Sequence, residues 1–144
     1  MKVVVQRVSK SQVSVANKVV GKIGRGLNLL VCIEHSDNQN TIKKASEKIL
    51  ALRIFSDESG RMNKSVVDIE GSILAISQFT LSWNGKKGNR PSFDGSARPE
   101  VAKELFDSLL ESLGNFCQVE TGVFGETMDV AISNDGPVTF HIEF

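Results

Sequence analysis

The sequence predicts an α+β protein, a single compact domain over residues 1–144 that is rich in β-strand in a barrel-like arrangement and has two main helices near residues 37–53 and 99–113. Strand-like segments cluster at the two ends of the chain instead of alternating with helices, which disfavours a doubly wound sheet. Two segments carry apolar residues at helical spacing. The 144 residues are 40% hydrophobic, which gives one domain enough apolar surface for a buried core.

Four segments before residue 34 have the pattern of strands. Residues 2–8 are rich in valine, residues 12–16 alternate between apolar and polar side chains, and residues 19–23 follow after a polar turn. Residues 27–33 are almost continuously apolar, which is typical of a strand that is buried on both faces.

The first helix is expected to follow these strands. Ser36 and Gln39 have the spacing of a capping box, which predicts that the helix starts at Ser36. Four apolar residues then recur at helical spacing: Ile42, Ala45, Ile49 and Leu52.

The second helix is expected to begin at Pro99, because proline fits the first helical position, and to end near Gly114. A strand region over residues 69–81 precedes it. Further strands are expected near residues 117–124, 128–133 and 138–144, with a turn over residues 134–137 between the last two.

The charges are balanced overall but divided along the chain. Lys and Arg together number 17, as do Asp and Glu, so the formal net charge is zero. Residues 1–98 nevertheless carry a net charge of +8, and residues 99–144 carry −8. A basic segment can mark a surface that meets an anion such as nucleic acid. Folding can also interleave the two segments and mix their charges, and charge alone favours that second interpretation.

Several familiar sites are absent from the sequence. It contains no P-loop, no dinucleotide fingerprint and no G-x-S-x-G motif. Cys32 and Cys117 lie far apart in apolar runs, which indicates buried and inert thiols. His35 and His141 lack the spacing of metal ligands, so we expect no metal and no cofactor. No apolar run approaches the ~20 residues of a membrane helix, so we expect a cytoplasmic protein without a membrane partner.

One irregular segment, residues 83–98, has the composition of a nucleic-acid contact. Trp83 and Phe93 are interleaved with four cations and one acid, namely Lys86, Lys87, Arg90, Arg98 and Asp94. Cations contact phosphates, and aromatic side chains stack on bases. A solvated loop whose aromatic residues pack into the core has the same composition, and without other evidence it is the better-supported reading.

Polar residues interrupt the apolar strand region at Ser77, Gln78 and Thr80. They form either a strand end satisfied by neighbouring loops or the wall of a pocket. Thr80 is a candidate nucleophile, but the sequence shows no base that would activate it. Gly136 and Pro137, taken by themselves, have the composition of a hairpin turn.

Six motifs occur in an order that resembles the D-aminoacyl-tRNA deacylase family, and together they span essentially the whole chain. They are Gln6-Arg7-Val8, Leu52-Arg53-Ile54-Phe55 with Met62-Asn63, Ser77-Gln78-Phe79-Thr80-Leu81, Gly88-Asn89-Arg90-Pro91-Ser92-Phe93, Thr121-Gly122-Val123-Phe124-Gly125 and Asn134-Asp135-Gly136-Pro137-Val138-Thr139. Each motif is modest alone, but the ordered set is specific. Two positions depart from the family pattern: Glu126 stands where a small residue is common, and Arg61 replaces a lysine.

The resemblance implies an enzyme that hydrolyses the ester between a D-amino acid and tRNA, and that also releases glycine from mischarged tRNA. It implies a homodimer with the site at the subunit interface. The pocket for the aminoacylated adenosine is implied to include Ser77, Gln78, Leu81 and Phe124. Two other function classes remain as rivals: an RNA-binding module without catalysis, and a small-ester hydrolase that uses Thr80 or Ser77.

The resemblance also implies how the D configuration is selected. Gly136 and Pro137 are implied to be joined by a cis bond and to reach into the partner's pocket, oriented by Arg7. L and D amino acids differ only in the direction in which the side chain leaves Cα. A rigid pair of backbone carbonyls can therefore occupy the volume that an L side chain needs, while glycine, which has no side chain, passes.

Catalysis is implied to depend on the substrate's own 2′-OH, since an aminoacyl ester is already activated. Phe79 and Thr80 are expected to position the ester and to stabilise the oxyanion through their backbone N–H groups, with Thr80 disfavoured as a nucleophile. Lys86, Lys87 and Arg90 are expected to contact tRNA phosphates, and DNA is not expected as a partner. Acids of the second helix should lie away from the tRNA, namely Glu104, Asp107 and Glu111.

Overall fold

The computed structural model describes residues 1–86 and 88–144. Its elements in chain order are β1 (Lys2–Val15), β2 (Lys18–Ile23), β3 (Gly26–Cys32), α1 (Gln39–Leu50), β4 (Phe55–Ser56), β5 (Met62–Lys64), β6 (Ser72–Ser77), a 3₁₀ turn (Phe79–Ser82), α2 (Pro99–Gly114), β7 (Gln118–Thr121) and β8 (Asp129–Glu143). The α+β class and the two main helices are confirmed.

β1 is the central strand of a nearly closed sheet. The strand order is β2-β1-β3-β6-β7, and β8 pairs with the other edge of β1. The first half of β1 pairs with β3, the second half pairs with β2, and β8 runs antiparallel along almost all of it. A Cβ atom added at Gly21 of β2 would lie 2.6 Å from the carbonyl oxygen of Thr121 in β7. The two ends of the strand order therefore touch, which confirms the barrel-like arrangement.

Two strand predictions were wrong. The segments predicted over residues 2–8 and 12–16 form one strand, β1, which ends at Val15 and passes its polar middle with a register shift between Val8 and Lys10. Residues 134–137 are not a hairpin turn, because both halves of β8 run in the same direction along β1. Asn134 pairs with Val8 and Thr139 pairs with Gln6, so the intervening residues bulge out of one continuous strand.

The helix ends follow ordinary capping chemistry. The N-cap of α1 is Asn38, whose side chain accepts hydrogen bonds from the N–H groups of Asn40 and Thr41. The predicted start at Ser36 was therefore two residues early. α2 begins at Pro99 as predicted and ends at Gly114, with Asn115 as its C-cap.

Two apolar clusters fill the molecule, one on each face of the sheet. The larger lies between the sheet and the helices, where Ile42, Ile49 and Leu109 pack against sheet residues such as Leu29 and Ile73. The smaller lies inside the curved sheet and consists of Val8, Val13, Ile23, Leu74 and Ile76. β3 contributes side chains to both faces, which explains its almost continuous apolar sequence.

The predicted strand region over residues 69–81 ends earlier than expected. β6 stops at Ser77, and the chain then turns through the 3₁₀ segment Phe79–Ser82. The short β4–β5 hairpin was not predicted from the sequence. Within residues 1–86 and 88–144, no helix is long and apolar enough to cross a membrane.

Candidate functional site

A cleft of about 380 Å³ opens where β6 ends. Its walls come from six parts of the chain: the residue just after β3, the end of β6 with the 3₁₀ turn, the segment before α2, the first turn of α2, the segment that joins β7 to β8, and the start of β8. The lining residues are Ile33, Ile76, Ser77, Gln78, Phe79, Ser96, Ala97, Pro99, Ala102, Phe124, Gly125, Glu126, Met128 and Val130. The volume suits a nucleoside-sized ligand.

The 3₁₀ turn shapes one wall. The Gln78 N–H donates to the Val31 carbonyl at 2.7 Å, which ties the start of the turn to β3. The Gln78 side-chain amide donates to Thr80 Oγ1 at 2.7 Å. A 3₁₀ turn leaves its first N–H groups without a partner inside the turn, and in this turn those groups belong to Phe79 and Thr80.

The structure separates the five residues of the motif Ser77–Leu81 into two groups. Ser77, Gln78 and Phe79 line the cleft, and Phe79 is 54% exposed. Thr80 and Leu81 follow on the turn and are not among the lining residues. A 3₁₀ turn presents residues three apart on one side, so these residues do not alternate between two faces as they would in a strand.

Cys32 lies directly behind the turn. It is fully buried, and its Sγ is 3.5 Å from the Phe79 carbonyl oxygen. Burial, reinforced by the negative charge of Glu34, raises the pKa of the Cys32 thiol. The thiol is therefore protonated at neutral pH and supports the turn as a neutral group.

The opposite wall comes from the segment between β7 and β8. The Phe124 ring lies 6.1 Å from the Phe106 ring of α2, so the cleft wall is continuous with the main core. A Cβ atom added at Gly122 would lie 2.3 Å from Met128 Sδ, which shows how closely this segment folds on itself. Glu126 is exposed at the rim, and no other described residue that lines the cleft has an ionisable side chain.

The basic segment over residues 83–98 is anchored beside the cleft. The Phe93 ring meets the Phe79 ring edge-on at 5.1 Å, and His35 Nε2 lies 2.8 Å from the Asp94 carbonyl oxygen. Lys86 and Arg90 are exposed, and Lys87 lies outside the described residues. Phe93 thus packs against a cleft residue and not into the main core.

Arg7 braces the bulge in β8. Its Nη1 donates to the Ile54 carbonyl at 2.6 Å, and its Nε lies 3.0 Å from the Asp135 carboxylate as an ion pair. The peptide bond between Gly136 and Pro137 is cis. Both residues are exposed, and neither lines the cleft of its own chain.

The three acids of α2 named above do not line the cleft. Glu104, Asp107 and Glu111 are exposed on the helix, and Asp107 forms an ion pair with Lys103 at 2.6 Å. No group of three metal-ligating side chains occurs within residues 1–86 and 88–144. The apolar lining residues such as Ile33 and Val130 were not predicted from the sequence, because no local pattern distinguishes them from core residues.

In sequence the chain is similar to hydrolases that remove amino acids from tRNA. The family model described as D-Tyr-tRNA(Tyr) deacylase matches residues 4–143, and the chain belongs to this family.

Individual relatives agree with this assignment. A D-aminoacyl-tRNA deacylase of Persephonella marina is 54% identical over 140 residues, which cover 97% of this chain and 95% of the relative. The solved structure of a c-Myc DNA Unwinding Element Binding Protein has a TM-score of 0.95 and 42% identity, and the match covers 100% of this chain and 99% of that one. A structure described as a "probable eukaryotic D-amino acid tRNA deacylase" shares the fold, with a TM-score of 0.76, 19% identity and 98% coverage of both chains.

Proposed function

We propose that this protein hydrolyses the ester bond of D-aminoacyl-tRNA and of mischarged glycyl-tRNA, releasing the amino acid and free tRNA. It acts in the cytoplasm as a homodimer whose site lies at the subunit interface. The observation that carries the proposal is the cleft itself. It brings together Ser77, Gln78 and Phe79 with Phe124, which belong to two motifs about 45 residues apart in the sequence.

The terminal adenosine occupies the cleft, with its base against the apolar wall. Phe124, Met128 and Ala97 offer apolar contacts, and Ser77 and Gln78 offer polar ones. Sites for small ligands commonly combine a mostly apolar lining with a few placed polar groups. Leu81, which supports the turn from outside the cleft, acts on the ligand only through the turn.

Gly136 and Pro137 of one subunit select the D configuration in the cleft of the other. Their exposure, together with their absence from their own cleft, supports a role toward a second chain. Arg7 holds the bulge from behind, and a Cβ atom at Gly136 would lie 3.0 Å from Arg7 Nη2. We expect this close support to keep the bulge rigid enough to exclude an L side chain by its backbone alone.

Catalysis uses the 2′-OH of the tRNA, and the protein positions the ester and stabilises the developing oxyanion. The N–H groups of Phe79 and Thr80 are the donors for that oxyanion. Thr80 Oγ1 already accepts a hydrogen bond from Gln78, and no carboxylate or imidazole is hydrogen-bonded to it among the described residues. Lys86, Lys87 and Arg90 contact the tRNA phosphates.

The decisive experiment measures the release of amino acid from one tRNA charged in turn with a D-amino acid, the L enantiomer and glycine. We expect rapid release of the D-amino acid and glycine and little release of the L-amino acid. A D-amino acid ester without tRNA tests for a small-ester hydrolase, which would hydrolyse that ester as fast as it hydrolyses charged tRNA. Binding of charged tRNA without release would support the RNA-binding module, and competition by duplex DNA tests whether the surface prefers RNA.

Two further measurements test the mechanism. Charged tRNA that ends in 2′-deoxyadenosine should be hydrolysed at least about a hundredfold more slowly, because the assisting group is missing. Unimpaired turnover of that substrate would refute assistance by the 2′-OH. Thr80→Ala should retain most activity, and near-complete loss with intact fold and binding would show that the hydroxyl is the nucleophile.

A further inference from the structure

A network of polar side chains, buried at Ser11 and Asn28 and half-buried at Gln6 and Asn134, leads from the interior of the curved sheet to the bulge in β8. Asn28 of β3 has 0% exposure and Ser11 of β1 has 2%, although both lie beside the apolar cluster inside the sheet. Ser11 Oγ donates to Asn28 Oδ1 at 3.0 Å, and Asn28 Nδ2 donates to Gln6 Oε1 at 3.4 Å. Gln6 Nε2 in turn donates to Asn134 Oδ1 at 2.8 Å.

The Asn134 side chain forms three further hydrogen bonds at the bulge. Its Nδ2 donates to the carbonyl oxygens of Arg7 at 3.1 Å and Val138 at 3.3 Å. Its Oδ1 also accepts from Thr139 Oγ1 at 2.9 Å. One side chain therefore holds the residues on both sides of Gly136 and Pro137 to β1.

The orientation of each side-chain amide in this network is determined by the bonds of Asn134. Backbone carbonyls only accept, so Asn134 must present its NH₂ group to Arg7 and Val138 and its oxygen to Gln6. Gln6 must then turn its NH₂ group toward Asn134 and its oxygen toward Asn28. Asn28 consequently presents its NH₂ group to Gln6, and its oxygen remains for the Ser11 hydroxyl. Ser11 Oγ can also donate to the Ala131 carbonyl at 3.2 Å, so the orientation of Asn28 is set by its bond to Gln6. None of the three amides can rotate by 180° without losing a hydrogen bond.

Burial of the Asn28 side-chain amide costs free energy. A buried amide loses its bonds to water, and an apolar side chain would fill the same place without that penalty. Aligned hydrogen bonds in a buried network strengthen one another and favour a single geometry. The network therefore constrains the bulge from a point that touches neither the cleft nor the exposed Gly136 and Pro137.

We propose that Asn28 is a positioning residue which, through Gln6 and Asn134, fixes the bulge and thereby sets the discrimination between D- and L-aminoacyl-tRNA. This inference rests on the proposed function of the bulge. Loss of the network lets the bulge move relative to β1, which relaxes the exclusion of L side chains. It leaves the cleft, and so the affinity for the adenosine end, unchanged.

The test compares Asn28→Leu and Gln6→Met with a control, Ser46→Ala. Ser46 is 6% exposed and donates to the Lys43 carbonyl at 3.0 Å within α1, so its loss removes a buried hydrogen bond outside the network. We expect the ratio of D to L hydrolysis to fall about tenfold in both network variants, which equals about 1.4 kcal/mol. KM for D-aminoacyl-tRNA should stay constant, and Ser46→Ala should keep the wild-type ratio.

A second readout needs no substrate. The side-chain NH₂ signals of Asn134 in a ¹⁵N spectrum should shift and exchange faster in Asn28→Leu and Gln6→Met, but not in Ser46→Ala. Lower thermal stability with an unchanged D to L ratio and unchanged Asn134 signals would overturn the inference and leave Asn28 a structural residue. Failure of the proposed function is distinguishable, because the wild type would then release no D-amino acid.

Discussion

The cleft and the bulge in β8 are built in opposite ways. The cleft is assembled from side chains that are distant in sequence, from Ile33 to Val130, and its described walls are mostly apolar. The bulge consists of consecutive residues between Asn134 and Thr139, and polar contacts from Gln6 and Arg7 hold it. The cleft follows from packing, whereas the bulge follows from hydrogen bonds that replace ordinary strand pairing.

The difference matters for recognition and for selection. A mostly apolar cleft binds a nucleoside without strict demands on geometry, because hydrophobic contact is non-directional. Exclusion of one enantiomer requires atoms that do not yield, and hydrogen bonds with fixed directions supply that rigidity. Substitutions in the bulge should therefore affect selection and rate, while substitutions in the cleft should affect affinity.

Gly136→Ala should have the largest effect. The Cβ atom would lie 2.8 Å from Val138 Cγ2 and 3.0 Å from Arg7 Nη2, and the φ angle of +119° is one that alanine rarely adopts. We expect the bulge to move by about 1 Å and D-aminoacyl-tRNA hydrolysis to fall about a hundredfold. Single-turnover rates check this, with binding of adenosine 5′-monophosphate measured in parallel and expected to be unchanged.

Gly60→Ala is the matched control for that variant. Gly60 has a φ of +78°, but a Cβ atom there would meet nothing within 4 Å. It should lose about 1–2 kcal/mol of stability from the backbone conformation alone and keep its activity. If both variants lost activity equally, backbone strain and not the position of the bulge would be responsible.

Phe124→Ala should have the next largest effect, and on affinity. Phe124 lines the cleft and packs on Phe106, so its removal takes away the surface that we propose for the base. We expect the Kd for charged tRNA to rise roughly tenfold to a hundredfold, since base–aromatic stacking contributes about 1–3 kcal/mol. Phe116→Ala is the control, because Phe116 is 64% exposed and lies outside the cleft. Equal weakening in both variants would contradict this assignment of the cleft.

The same contrast explains which elements could be predicted from the sequence. α2 carries its own signals, a proline at its first position and a stripe from Ala102 to Leu113, so its predicted range differs from the observed one by a single residue. The bulge has turn-forming residues, which predict a hairpin equally well. Only long-range pairing of Asn134 with Val8 and of Thr139 with Gln6 decides between the two.

The candidate site shows the same limit. Ser77 and Gln78 could be named because they are polar residues in an apolar strand region, and Phe79 and Phe124 because their motifs resemble those of the deacylase family. Ile33 and Val130 carry no such signal, since an apolar residue at a strand end is equally typical of the protein core. Their place in the cleft depends on how the chain closes, which periodicity does not specify.

Glu126→Gln should have a smaller effect, in the opposite direction. Glu126 is exposed at the rim, where its carboxylate repels the phosphates of an approaching tRNA. We expect the Kd for charged tRNA to fall about two- to threefold, in line with the ~0.2–1 kcal/mol of exposed charge interactions, and less at high salt. Glu104→Gln on α2 removes the same charge outside the cleft and should leave Kd unchanged. An equal gain in the two variants would show that net charge, not the rim position, governs affinity.

Cys32 should give the smallest effect, although its sulfur touches the carbonyl of a cleft residue. Burial raises the pKa of the thiol, so the thiolate is scarcer at pH 7 than in free cysteine and becomes accessible only as the pH rises toward that higher value. Iodoacetamide at pH 7 should therefore leave deacylation intact, and Cys32→Ala should keep activity within about twofold because the Phe79 carbonyl loses only a weak S–H donor. Rapid inactivation by iodoacetamide, abolished in Cys32→Ala, would instead place an ionised thiol at the cleft. Loss of activity in Cys32→Ala itself would show that this wall, like the bulge, depends on a polar contact and not on packing alone.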